Sequence, residues 1–185
     1  RQMCIRDSCN ALSVDELALV EPLAVGLHAA RRAQINVGEW VAVIGCGVIG
    51  LGAIAAASAM GARVIAIDID DRKRNIALEC GAQRFLNSQQ CDVAAELVLL
   101  NDGRGPEVVI EAVGNQQTIE QATGLVAFSG RVVYVGYAKQ PVSYQSAQFL
   151  MKELDIRGSR NALPADFRAV INYMKEGLSL IHISE

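Results

Sequence analysis

The residues whose types and spacing carry the most chemistry are Gly45-Cys46-Gly47-Val48-Ile49-Gly50, a G-x-G-x-x-G run. Ahead of it stands the apolar stretch Trp40-Val41-Ala42-Val43-Ile44, which reads as a buried strand. Small, helix-forming residues from Leu51 to Met60 follow, closed by Gly61. Eighteen positions past Gly50, Asp68 ends a second apolar strand, Val64-Ile65-Ala66-Ile67. Strand, glycine turn, helix, strand and acid in that order form a dinucleotide-binding fingerprint. Gly45 permits the tight turn. Gly47 puts no side chain between the backbone and a pyrophosphate, and Gly50 lets helix and strand pack closely. With Val48 and Ile49 in the first helical turn, the free N–H groups and the positive end of the helix dipole face the phosphates. A glycine turn of purely structural use is the competing reading.

Asp68 bears on the choice of cofactor. A carboxylate at the tip of the second strand accepts hydrogen bonds from both adenosine ribose hydroxyls and repels a 2′-phosphate, which favours NAD over NADP. Asp68 could instead cap the next helix, but Asp70, ahead of Asp71 and Arg72, is better placed for that. Arg72 and Lys73 are the basic residues near this tip that could hold a 2′-phosphate, and Arg72 is counted among the cofactor-side residues.

The elements that position these groups are legible along the chain. Ser13 reads as an N-cap with Asp15 and Glu16 in the first turn. Glu21-Pro22 is expected to open a second helix, with Arg31-Arg32 complementing the dipole at its end. Strands are then expected at 40–45, 63–68, 84–86, 107–111, 131–136 and 154–158, and helices at 48–60, 71–80, 92–100, 116–126 and 165–176. Nearly continuous apolar strands such as Val108-Val109-Ile110 suit a sheet covered by helices on both faces. The expected fold is α/β: a Rossmann-type, doubly wound, parallel six-stranded sheet of order 3-2-1-4-5-6.

Composition sets outer bounds. A chain of 185 residues, 51% hydrophobic and 20% charged, suits one domain with a substantial core. Its net charge of −3 argues against a nucleic-acid or anionic-membrane surface, and glycines and charges interrupt every apolar run short of a membrane span. Cys4, Cys9, Cys46, Cys80 and Cys91 show no C-x-x-C pair or zinc-finger spacing, which fits free thiols in the cytoplasm. The ends, 1–8 and 179–185, fit neither a signal peptide nor the domain's periodicity and read as non-native flanks. Residues 9–37 are expected to be bridging helices and 38–178 the dinucleotide-binding domain.

Several segments together resemble the zinc-dependent medium-chain alcohol and polyol dehydrogenases, in the sorbitol, threonine and sugar-acid dehydrogenase branch. They are Glu21-Pro22-Leu23-Ala24-Val25-Gly26-Leu27-His28-Ala29-Ala30, the glycine turn, Val64 to Asp68, Ile110-Glu111-Ala112-Val113-Gly114, Gly130 to Gly136, and Lys152 to Arg160. The resemblance runs from about residue 12 to 178. It implies the cofactor domain of an enzyme in which zinc binds a polyol or sugar-acid hydroxyl and hydride passes to NAD. It implies no catalytic residue within this chain, since the cysteine and His-Glu zinc ligands belong to an upstream domain, so that this fragment alone is expected to be inactive. Glu21 matches a bridging-helix carboxylate that approaches zinc, and a helix-start acid is its equal alternative. Ala112, Val113, Val135, Gly136 and Tyr137 match cofactor walls that meet the ribose and carboxamide. Ser159 and Arg160 match a loop near the nicotinamide. The resemblance further implies a homodimer or homotetramer. An NADPH-dependent quinone reductase of the same superfamily and a non-catalytic NAD-sensing module are the alternatives.

Overall fold

The computed structural model describes residues 12–176. The two expected flanks, 1–8 and 179–185, lie outside the described residues, as do Cys4 and Cys9.

The chain opens with helix α1 (Val14–Arg32), started by Ser13 in a capping box. The Ser13 hydroxyl accepts from the Glu16 N–H at 3.2 Å, and the Ser13 N–H donates to the Glu16 carboxylate at 2.7 Å. Pro22 does not open a second helix, because α1 runs unbroken through it. A proline removes one backbone hydrogen bond from the turn before it. Burial of Leu19, Val20, Leu23, Ala24 and Leu27 on both sides of that point outweighs the loss.

Strand β1 (Trp40–Ile44), helix α2 (Val48–Ala59) and strand β2 (Arg63–Asp68) make the first βαβ unit. A short 3₁₀ turn at Asp71–Lys73 leads into α3 (Arg74–Glu79), β3 (Ala82–Asn87) and α4 (Val93–Val98). Then follow β4 (Val108–Glu111), α5 (Gln116–Leu125) and β5 (Arg131–Tyr134). The chain continues with α6 (Ala147–Met151), β6 (Asp155–Gly158) and α7 (Pro164–Lys175). The six strands pair in parallel in the order β3-β2-β1-β4-β5-β6, the order expected from the alternation of elements. Several local bounds differ from those expected: the first strand ends at Ile44, the third runs over Ala82–Asn87, and α4 is shorter than 92–100. The fifth strand stops at Tyr134 and not Gly136, since Val135 and Gly136 both turn their N–H groups onto the Glu111 carbonyl. The short helix α6 carries no sequence signal read above.

Successive strand residues point to opposite faces and feed two separate cores. Val41, Val43, Val64, Ala66, Val108 and Ile110 pack with α1, α2 and α7 on one side. Ala42, Ile44, Ile65, Ile67, Val109 and Val132 pack with Leu97 of α4 and Ala122 of α5 on the other. Covered on both faces, the central strands have no polar side to alternate with, which explains their unbroken apolar runs.

Helices α1 and α2 lie closer than large side chains allow. A Cβ on Gly26 would stand 2.5 Å from the Ile49 carbonyl oxygen and 2.6 Å from the Ala53 nitrogen, both backbone. Opposite it, a Cβ on Gly52 would lie 3.1 Å from the Leu23 Cα. In an open helix Gly→Ala stabilises by about 1 kcal/mol. Here the clash is with backbone, and overpacking costs roughly 1–3 kcal/mol. Gly26→Ala is therefore expected to lower the urea midpoint, and a raised midpoint would refute this close approach.

Residues Arg31 and Arg32 do more than complement a dipole. Asp166 at the start of α7 is fully buried, and its carboxylate accepts from Arg31 at 2.5 Å, from His28 Nδ1 at 2.9 Å and from the Leu163 N–H at 2.7 Å. Arg32 donates to the Gly158 carbonyl at 3.1 Å. His28, through the same carboxylate, helps pin α1 to α7.

Candidate dinucleotide-binding cleft

The carboxyl ends of β1, β2 and β4 open into a cleft of about 750 Å³, lined among others by Gly45, Gly47, Asp68, Ala112 and Val113. Parallel strands end with their loops on one side, so a crevice forms where the connections diverge to opposite faces, here between β1 and β4.

The three glycines of the turn differ in what they require. Gly45 has φ +96°, a left-handed conformation that L side chains avoid, and a Cβ there would lie 2.6 Å from Val113 Cγ2. A Cβ on Gly50 would collide with the Gly45 carbonyl oxygen. Gly50 thus serves the turn itself more than the helix–strand approach expected for it. Gly47 is the exception. Its backbone (φ −72°, ψ 177°) is open to any residue, and nothing lies within 4 Å of its Cβ position. No fold reason demands glycine there. Gly47 is the N-cap of α2, with no side-chain cap and no acid in the first turn. The first-turn N–H groups, those of Val48 and Ile49 included, are therefore left to an external acceptor.

Asp68 stands at the tip of β2 with each carboxylate oxygen anchored. One accepts from the Cys46 N–H at 2.6 Å, the other from the Asp70 N–H at 3.0 Å. The carboxylate is thereby fixed at the cleft, with lone pairs left over on both oxygens. The capping role belongs to Asp70, which accepts from the Arg72 N–H at 3.0 Å. Asp70 also pairs with the Arg72 guanidinium at 2.8 Å. Hydrogen bonds from the Arg72 side chain and backbone hold the Asp70 carboxyl below the usual carboxylate range. Arg72 itself is 90% exposed and turned onto Asp70. Cys46 is buried, and that burial, with the Asp68 charge, pushes its thiol up to about 12. It stays protonated and fills space.

Across the cleft, the Ala112 N–H donates to the Ile44 carbonyl at 2.9 Å, which ties the β4 exit to the glycine turn. Gly114 (φ +79°) abuts Gly136 and Tyr137, so the β5 exit adjoins the β4 exit. Tyr137 is exposed. Beyond it, the Ser159 N–H caps the sheet on the Tyr134 carbonyl at 2.8 Å, and Arg160 is exposed. Gly45, Gly47, Asp68, Ala112 and Val113 thus meet in one cleft. Val135, Gly136 and Tyr137 lie beside it, and Glu21 sits exposed on α1. Among the described residues, no three His, Cys, Asp or Glu side chains come together as a metal site.

Three groups were missed in the sequence. Ser88, Gln89 and Asp92 line the cleft beyond β3, and nothing in their spacing marks them. Gln117, Gln121 and Leu125 of α5 also line it, and their i, i+4, i+8 spacing on a helix of low apolar content was the available signal. Glu111, fully buried at the end of β4, was read only as part of a resembling segment.

The six-stranded parallel sheet, the glycine turn and the acid at the second strand tip define a Rossmann-type α/β protein of the dinucleotide-binding class. Residues 48–176 match the family model described as zinc-binding dehydrogenase. The chain belongs to the zinc-binding dehydrogenase family. It is 39% identical to L-galactonate-5-dehydrogenase of Escherichia coli K12 over 160 residues, covering 86% of this chain and 47% of that protein. It is 40% identical to D-xylulose reductase of Scheffersomyces stipitis over 149 residues, covering 80% of this chain and 41% of that protein. Among solved structures it resembles a protein of Sinorhizobium meliloti 1021, described as a zinc-binding dehydrogenase and bound to NADP. That match has a TM-score of 0.80 and 32% identity, over 88% of this chain and 49% of the other. The chain spans about half the length of the curated relatives it matches.

Proposed function

We propose that this chain is the cofactor-binding part of a cytoplasmic oxidoreductase that passes hydride from a secondary hydroxyl of a polyol or sugar acid to NAD. The observation that carries the reading is Asp68, a carboxylate held at the cleft by two backbone N–H groups with acceptor capacity to spare. The names of the two sugar-related relatives support the substrate class. Bound NAD supplies the hydride acceptor. The residues of this chain hold it: the α2 terminus and Gly47 at the phosphates, Asp68 at the adenosine ribose, and Ala112, Val113, Val135 and Gly136 along the remainder. Ser159 and Arg160 stand at the far end, and residues 38–178 form the binding domain behind the bridging residues 9–37.

Zinc is a family property, and the described residues do not gather a ligand set for it. Glu21 would ligate only with companions from outside residues 12–176, and the isolated chain is expected to oxidise no polyol. No helix among the described residues is long and apolar enough to cross a membrane. Self-association into a homodimer or homotetramer is supported by β6, an edge strand that carries exposed Ile156 and is preceded by exposed Leu150 and Met151. The NADP bound to one solved relative keeps an NADPH-dependent reading in play. Calorimetric titration of the chain decides between them. NAD is expected to bind at least about tenfold more tightly than NADP, a difference of about 1.4 kcal/mol. Equal or inverted affinities would overturn the NAD assignment.

A further inference from the structure

Glu111 ends β4 with a fully buried side chain, and three donors converge on its carboxylate and two on its main-chain carbonyl. Its Oε1 accepts from the Val113 N–H at 2.9 Å, the Gly114 N–H at 2.8 Å and the Thr118 hydroxyl at 2.8 Å. Its main-chain carbonyl accepts from the Val135 N–H at 2.9 Å and the Gly136 N–H at 3.0 Å. Oε2 is buried with no hydrogen-bond partner among the described residues. It faces Gly136, where a Cβ would stand 2.5 Å away.

A buried acceptor left without a donor is costly, and an apolar side chain at this point would avoid the cost. What an apolar residue could not do is fold the β4 exit back on itself, since the Val113 and Gly114 N–H groups would lose their acceptor. The same carboxylate takes the Thr118 hydroxyl, which fixes the first turn of α5 to that loop. Its unpaired oxygen lies against Gly136 beside the Gly114 backbone, so the β5 exit packs on the carboxylate and on the loop that the carboxylate holds. Glu111 thus reaches three segments at once: the β4 exit, α5 and the β5 exit.

We propose that Glu111 is a positioning residue for the cofactor, fixing the placement of the β4 exit loop and of the β5 exit packed on it, the two loops that flank the nicotinamide half. This rests on the reading of the cleft given under Proposed function. Glu111 touches no ligand in this scheme and acts only through Val113, Gly114 and Gly136.

Calorimetric titration with NAD and with ADP tests the proposal, because ADP lacks the nicotinamide half. Wild type is expected to bind NAD more tightly than ADP. Glu111→Leu should lower that ratio about tenfold while ADP affinity stays within about threefold. Glu111→Gln should keep the ratio within about 1.5-fold of wild type, because the amide oxygen can take the place of Oε1 and remain an acceptor for the Val113 and Gly114 N–H groups. A residue that merely stabilises the fold would lower the melting temperature without moving the ratio. Should Glu111→Leu fail to fold, Thr118→Val removes one of the three donors and should lower the ratio by about threefold. The proposal is overturned by an unchanged ratio in the folded leucine or valine variant, or by a glutamine variant as impaired as the leucine one. A wild type with no preference for NAD over ADP also overturns it. A wild type that binds neither ligand counts against the cleft assignment itself.

Discussion

Replacing Gly47 by valine is expected to abolish dinucleotide binding while leaving the chain folded. The backbone at Gly47 (φ −72°, ψ 177°) is extended and suits an L residue, and its Cβ position is clear of every neighbour to 4 Å. The valine methyls therefore extend from a Cβ that stands in open space. They occupy the space above the first-turn N–H groups of α2, where a pyrophosphate would sit. Exchanging glycine for valine at an N-cap costs about 1 kcal/mol or less in stability. Loss of the phosphate contacts should cost far more, at least about a hundredfold in affinity, or about 2.7 kcal/mol. Gly50→Val makes the control, since its Cβ would strike the Gly45 carbonyl and the turn would not form. Calorimetry with NAD and a urea midpoint on each variant separate the two effects. NAD affinity unchanged in Gly47→Val would remove the phosphate cradle from α2.

Cofactor preference should shift on replacing Asp68 with serine. The carboxylate proposed to accept from the ribose hydroxyls is lost, and hydrogen bonds to a charged group contribute roughly 1.5–3 kcal/mol. NAD affinity should fall about ten- to a hundredfold. Part of that loss passes through the turn, because Asp68 also accepts from the Cys46 and Asp70 N–H groups, and serine offers one oxygen in place of two. Asp68→Asn controls for this, since its amide keeps one carbonyl oxygen at similar reach while removing the charge. NADP affinity should rise in both variants as repulsion of the 2′-phosphate is relieved. The rise has a ceiling. Arg72 must leave Asp70 to reach the phosphate, although an exposed pair of this kind holds only weakly. The NAD-to-NADP affinity ratio before and after substitution is the measurement. If neither variant moves it, Asp68 serves only to brace the turn.

Pattern carried much of the fold and cleft. Apolar runs at Val41–Ile44, Val64–Ile67 and Val108–Ile110 identify strands because a strand covered on both faces tolerates no polar residue. The turn Gly45–Gly50 identifies a helix start with an uncapped N-terminus because spacing and residue type there are local properties. Asp70 was separable from Asp68 as the cap for the same reason, its partner being two residues away. Local signals misled at Pro22, where the helix-start preference of proline was real but weaker than the burial of Leu19, Val20 and Leu23.

The remainder depended on which segments become neighbours. Gly26 and Gly52 look like ordinary helix-weakening glycines until α1 and α2 cross with almost no room between their backbones. Arg31 and His28 find their partner Asp166 more than 130 positions along the chain, at a distance no periodicity encodes. Glu111 is the clearest case. Its sequence shows only an acid closing an apolar strand, an arrangement that elsewhere would face solvent. Tertiary packing buries it and delivers donors from residues 113, 114 and 118, together with the backbone of 135 and 136. Strand alternation and turn chemistry are set by neighbours along the chain and so can be read from residue order. The burial of an acid and the meeting of two loops are set by the packing of the whole sheet, and only the folded chain decides them.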